Sequence, residues 1–139
     1  MASADYVADT SVFARLTKPA VAAQFAPLAA TGKVAVCSPV AFEIGFSART
    51  HEDYKSVADR LSSFPFSSVT DADHRRALDV QAELAARGQH RALSLVHALV
   101  AAIAEARDLT VLHYDRDFEL VAAITGQPQR WIVPPGTAD

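Results

Sequence analysis

Residues 6–11, Tyr6-Val7-Ala8-Asp9-Thr10-Ser11, decide the fold: three apolar, β-compatible residues run straight into an acid and two hydroxyls able to cap a helix. A strand that steps directly into a helix, leaving Asp9 at its carboxyl end, is the opening unit of a layered α/β domain. Helices are expected over residues 12–16 and 20–30. The pattern then repeats. A strand over residues 33–38 stops at Pro39, and proline is tolerated in the first turn of the helix expected over residues 40–49, which carries Glu43. A short strand near Ser67-Ser68-Val69 precedes Asp71, the expected cap of an amphipathic helix over residues 72–87 that ends at Gly88. Beyond Ser94, apolar Leu95, Leu99, Ala102, Ile103 and Ala106 recur at helical spacing, so residues 95–107 read as a mostly buried helix. Residues 110–113 read as a strand, 118–124 as a helix closed by Gly126, and Trp131-Ile132-Val133 as a last strand before Pro134-Pro135.

Alternating strands and helices imply an α/β domain with a mostly parallel sheet, whose ligand sites gather at the carboxyl ends of strands near a switch in strand order. With 139 residues and 50% apolar content, the chain is expected to form a single domain over residues 1–139. The lone cysteine, Cys37, has no partner for a disulfide, which favours a reducing compartment, and its run Val34-Ala35-Val36 marks it as a buried small hydrophobe. The N-terminus lacks the basic start and apolar stretch of a signal peptide, and no apolar run is long enough to span a bilayer, so a soluble, cytoplasmic protein is expected. A net charge of -3 argues against non-specific polyanion binding. Local basic patches remain at Arg75-Arg76 and over residues 87–91, so charge neither excludes nor supports an RNA substrate.

Asp9 follows the first strand, Glu43 lies just past the second and Asp115 follows the fourth, so this topology carries three separated carboxylates toward one sheet edge. Clustered carboxylates repel one another and are costly to desolvate, and the usual reason for such a cluster is a hard cation held through oxygen. Taken singly, the acids have plainer roles: Asp9 as a helix cap in competition with Ser11, Glu43 as a favourable charge near a helix N-terminus, and Asp117 as the cap of the helix at Phe118. Glu43 is flanked by Phe42, Ile44 and Phe46, an apolar setting that argues against simple surface. Aspartate-nucleophile phosphatases also open with a strand-end Asp, but they need a second Asp two residues on, where Ser11 stands here.

Four stretches together resemble the PIN-domain family, and within it the VapC-type toxins of type II toxin–antitoxin pairs. They are Val7-Ala8-Asp9-Thr10-Ser11-Val12, Ser38-Pro39-Val40-Ala41-Phe42-Glu43, Ala98-Leu99-Val100-Ala101-Ala102-Ile103-Ala104, and Val111-Leu112-His113-Tyr114-Asp115-Arg116-Asp117-Phe118. The resemblance implies a three-layer α/β/α domain whose acidic cluster binds Mg²⁺ or Mn²⁺ and cuts RNA. It assigns the family's first acid to Asp9, the second to Glu43 and the fourth to Asp115, with Asp117 as an accessory acid and Thr10 or Ser11 as the hydroxyl after the first acid. It further implies a homodimer and a cognate antitoxin whose C-terminal segment lies across the active-site groove.

At the family's third acid this sequence has His97 instead. A neutral imidazole ligates Mn²⁺ but adds no negative charge and suits Mg²⁺ poorly, so the resemblance implies an altered metal preference or a weakened site. The alternative function that follows is a PIN scaffold that binds RNA or a partner without cutting. His113, where many relatives carry threonine, is expected either to touch phosphate or to pack. The content of Val12, Phe13, Leu16, Val21, Phe25, Leu28, Phe42 and Phe46 exceeds what one face of a small sheet covers, which predicts an apolar groove for a partner peptide. Tyr114, Trp131 and the phenylalanines otherwise read as core.

Overall fold

The computed structural model describes residues 3–139. Its strands are β1 (Tyr6–Ala8), β2 (Val34–Cys37), β3 (Phe66–Ser67), β4 (Thr110–His113) and β5 (Gln129–Trp131). Its helices are α1 (Thr10–Phe13), α2 (Pro19–Ala30), α3 (Ser38–Phe46), α4 (His51–Leu61), α5 (Asp71–Ala86), α6 (Leu95–Ala106) and α7 (Asp117–Thr125). The sheet order is β3-β2-β1-β4-β5, and every pairing is parallel. The chain lays β2 and β3 to one side of β1 and β4 and β5 to the other, so the order reverses between β1 and β4. At such a switch the flanking helices diverge and leave a crevice at the strands' carboxyl ends.

Strand alternation sends neighbouring residues to opposite faces, and here both faces are covered. Val7, Ala35, Cys37 and Val111 pack with Val100, Ile103, Ala104 and Phe118 on one side. Ala8, Val34 and Leu112 pack with Val12, Val21, Phe25 and Ile132 on the other. The result is the expected three-layer α/β/α arrangement. Truncating a side chain as enclosed as Phe118, 1% exposed, costs about 3–5 kcal/mol in transfer and cavity energy.

Several local expectations are corrected. Thr70, not Asp71, caps α5: its hydroxyl accepts from the Asp73 amide at 3.2 Å while the Asp73 carboxylate accepts from the Thr70 amide at 2.9 Å. Asp117 lies inside α7 rather than capping it, and the Asp115 carboxylate accepts the Asp117 amide at 2.9 Å. The last strand is Gln129–Trp131: the Ile132 amide closes the ladder on the His113 carbonyl at 2.8 Å, and the Ile132 and Val133 side chains turn into the core. Helix α4 was not expected from the sequence. The third strand pairs through Phe66 and Ser67, one residue earlier than expected.

Candidate active site

The β1–α1 step fixes Asp9. Its amide donates to the Leu112 carbonyl of β4 at 2.9 Å, and its Oδ2 accepts from the Ser11 amide at 3.0 Å as the cap of α1. The side chain has no exposed surface, and Oδ1 has no hydrogen-bond partner among the described residues. Buried polar atoms are nearly always paired, so a carboxylate oxygen left free in the interior points to a ligand outside the chain. Burial pushes the Asp9 pKa up, but hydrogen bonding and charge attraction from His97, with the Ser11 bonds, outweigh it and hold the group below its ordinary value.

Ser94 caps α6 by accepting from the His97 amide at 3.2 Å, which sets His97 in the first turn facing the strand ends. Its Nδ1 lies 2.6 Å from Asp117 Oδ2, and its Nε2 lies 3.5 Å from Asp9 Oδ2 and 3.8 Å from Asp115 Oδ2. Burial works against charge on this ring, but the surrounding carboxylates of Asp9, Asp117 and Asp115 prevail and raise its pKa to about 9. In this state His97 is an imidazolium lying between three acids. His97, Asp115 and Asp117 can each aim one ligand atom so that all lie within 4.8 Å of one another.

Glu43 joins the same edge through its neighbour: the Thr10 hydroxyl donates to Glu43 Oε1 at 2.6 Å, one residue from Asp9. Ser11 serves the backbone, its hydroxyl accepting from the Tyr114 amide at 2.9 Å. Of the two roles open to His113, the structure shows the packed one. Its ring is fully buried, Nδ1 accepts from the Asp115 amide at 3.0 Å, and Nε2 therefore carries the hydrogen donated to Gln129 Oε1. Burial lowers its pKa, against a smaller opposite pull from Gln129, so the ring stays neutral and orients the Asp115 loop. Nothing in the sequence marked Gln129 for this role. Cys37 is buried, and burial with the nearby Asp9 charge raises its thiol pKa to about 11, which removes it as a nucleophile.

Beside Thr10 and Glu43 opens a cavity of about 500 Å³ whose walls include Phe13, Leu16, Leu61 and Phe64. Of the residues expected to form an apolar groove, Val12, Val21 and Phe25 are core instead, whereas Phe42 and Phe46 are 77% and 84% exposed on α3. Tyr114 is core as expected, but Phe66 and Tyr54 join the exposed aromatics. Among the described residues, no helix is long and apolar enough to cross a membrane.

Residues 6–124 match the family described as PIN domain. The chain is 47% identical over 134 residues to Ribonuclease VapC51 of Mycobacterium tuberculosis, covering 96% of this chain and 97% of that relative. It is 38% identical to Ribonuclease VapC21 of the same species over the same shares. Among solved structures, DNA-bound VapBC from Salmonella typhimurium superposes with a TM-score of 0.76 at 19% identity, covering 94% of this chain and 99% of that one. VapBC2 from Rickettsia felis gives 0.74 at 17% identity, covering 91% and 97%. The parallel sheet with its switch at β1 and β4, the acids at that switch and the full-length identity to VapC relatives agree, and the chain belongs to the PIN-domain family, in its VapC group.

Proposed function

We propose that this chain is a metal-dependent endoribonuclease toxin that cuts RNA and is silenced by a cognate antitoxin. The unpaired, buried Oδ1 of Asp9, whose other oxygen lies 3.5 Å from the His97 ring that also meets Asp115 and Asp117, is the observation that carries the reading. The donor set fits Mn²⁺ or Mg²⁺: carboxylate oxygens suit both, and the imidazole of His97 tilts the preference toward Mn²⁺. Asp9, Asp115, Asp117 and His97 would hold the ion, with Glu43 adjoining. The bound ion would supply water activation and charge stabilisation at phosphorus.

The chain's own residues do the rest. His97 must give up its proton before Nε2 offers a lone pair, so metal and proton compete for this ring. Glu43, held by the Thr10 hydroxyl, is placed to hold or accept a proton at Oε1 or Oε2. Ser11 keeps Asp9 and Tyr114 in register through its amide and hydroxyl. The cavity beside Glu43 and the exposed Phe42 and Phe46 supply an apolar surface for an antitoxin segment, consistent with the toxin–antitoxin complexes among the structural neighbours. A homodimer belongs to the same reading, and sedimentation of the purified chain tests it.

Incubating the chain with single-stranded RNA and Mn²⁺, with and without a chelator, tests the function directly. Chelator-sensitive cleavage is expected. The imidazolium of His97 lying among the acids favours a second reading, a PIN scaffold that binds without cutting, which metal-independent RNA binding with no cleavage would support.

A further inference from the structure

Residues 134–139 leave the end of β5 and fold back over the strand ends, where their contacts converge on the loop that bears Asp115. The Tyr114 hydroxyl accepts from the Ala138 amide at 2.9 Å and donates to Asp139 Oδ1 at 2.8 Å. Arg15 of the α1 region donates from Nε to the Ala138 carbonyl at 3.0 Å and from Nη1 to the Ser11 carbonyl at 3.1 Å. Its guanidinium carbon sits 4.5 Å from the centre of the Tyr114 ring. Ala138 is 3% exposed and packs with Val12, Phe25 and Tyr114.

These contacts close a circuit. Ser11 accepts the Tyr114 amide and donates its own amide to Asp9, so the residue before Asp115 and the carboxylate of Asp9 share one hydroxyl-bearing neighbour. Arg15 grips that neighbour's carbonyl and the C-terminal segment together, while Tyr114 is clamped from the other side. Packing alone would need none of these directed polar contacts, since Ala138 could be enclosed by the core without them.

We infer that residues 134–139, acting through Tyr114 and Arg15, position Asp115 against Asp9. Tyr114 and Arg15 are positioning residues, remote from any reacting atom. For its activity arm the inference rests on the ribonuclease reading; its structural arm does not. Groups that orient metal-binding or catalytic side chains are commonly worth about 10- to 100-fold in affinity or rate when removed, and small misplacements act mainly on kcat.

The test compares the full chain with Tyr114→Phe, which keeps the ring and loses both hydroxyl contacts, and with a chain ended after Val133. Amide exchange should quicken about tenfold at Tyr114, Ser11 and Asp115 while α6 amides keep their rates, and kcat for Mn²⁺-dependent RNA cleavage should fall about tenfold with KM within about twofold. Unchanged exchange at those amides in a folded Tyr114→Phe protein overturns the inference, as does unchanged kcat. A shortened chain that fails to fold leaves the decision to Tyr114→Phe. Should the full chain cleave no RNA, the ribonuclease reading has failed, and the exchange rates alone decide whether the buttress exists.

Discussion

The His97 ring spans the acidic site, with Nδ1 2.6 Å from Asp117 and Nε2 3.5 Å from Asp9, so a single imidazolium lies between carboxylates that would otherwise face one another. In the metal-free protein it is the counter-ion of the cluster. A cation bound at the site has to displace that role.

Stability should therefore depend on pH. Because the folded-state pKa of His97 is raised from 6.5 to about 9, its contribution is fully present below pH 6.5 and is lost as pH rises through 9. The shift sets an upper limit of about 3 kcal/mol. The melting temperature of metal-free protein should fall by roughly 5 °C or more across that window, and His97→Gln should flatten the profile. A wild-type profile in His97→Gln would show that another group sets it.

His97→Asp should act in two directions. Without metal, a fourth carboxylate beside Asp9, Asp115 and Asp117 repels its neighbours and lowers the melting temperature. With Mn²⁺, the added oxygen ligand should raise affinity about tenfold or more in calorimetric titration. Equal affinity in the two proteins would place position 97 away from the ion.

Two ion pairs on the α5–α6 side should differ sharply. Arg107 binds both oxygens of Asp73 at 3.0 and 3.1 Å, and the Asp73 side chain is 2% exposed. Arg107→Ala strands that carboxylate and should cost about 3 kcal/mol. Arg76 pairs with Glu105 at 2.7 Å on an open surface, and Arg76→Ala should cost under about 1 kcal/mol. Burial opposes the Asp73 charge, but Arg107 and Thr70 hold its pKa below the ordinary value. Its contribution is present above about pH 4 and disappears as pH falls through the lowered value, which acid titration of the Arg107→Ala protein should show as a lost transition.

Phe46→Glu should leave the melting temperature within about 2 °C, since the side chain is 84% exposed, and should weaken antitoxin binding at least about tenfold. Phe25→Glu buries a charge at a site 5% exposed and should unfold the protein. Undiminished antitoxin binding by a folded Phe46→Glu protein would move the partner elsewhere.

The strand–helix steps at Asp9 and Asp115 were legible because an apolar run met a polar cap within three or four residues. Helix α4 was missed although Tyr54, Val57, Ala58 and Leu61 recur at i, i+3, i+4 and i+7, because the stripe is the only apolar part of a charged segment and none of its residues is buried. The Thr50 side chain that caps it, accepting from the Asp53 amide at 3.0 Å, was a second signal. Edge strand β5 was misplaced because its pairing residues Gln129 and Arg130 are polar, whereas the apolar Ile132, which gives its amide to the His113 carbonyl at the ladder's end, and Val133 turn into the core. At the site, the acids and His97 could be named from position and resemblance. The supports could not, because Gln129 meets His113 across 16 residues, Ala138 meets Tyr114 across 24 and Arg15 meets Ala138 across 123, the last two through backbone atoms of Ala138 that no side-chain pattern encodes.

Mn²⁺-dependent cleavage of a single-stranded RNA by four proteins, the chain itself, Asp9→Asn, His97→Asp and the double variant, tests whether the cluster around Asp9 makes this chain a metal-dependent ribonuclease. On that reading, chelator-sensitive cleavage is expected in the chain, faster cleavage in His97→Asp, and a loss of about 100-fold or more wherever Asp9 is replaced. Cleavage that survives Asp9→Asn, or none in His97→Asp at saturating Mn²⁺, would contradict it.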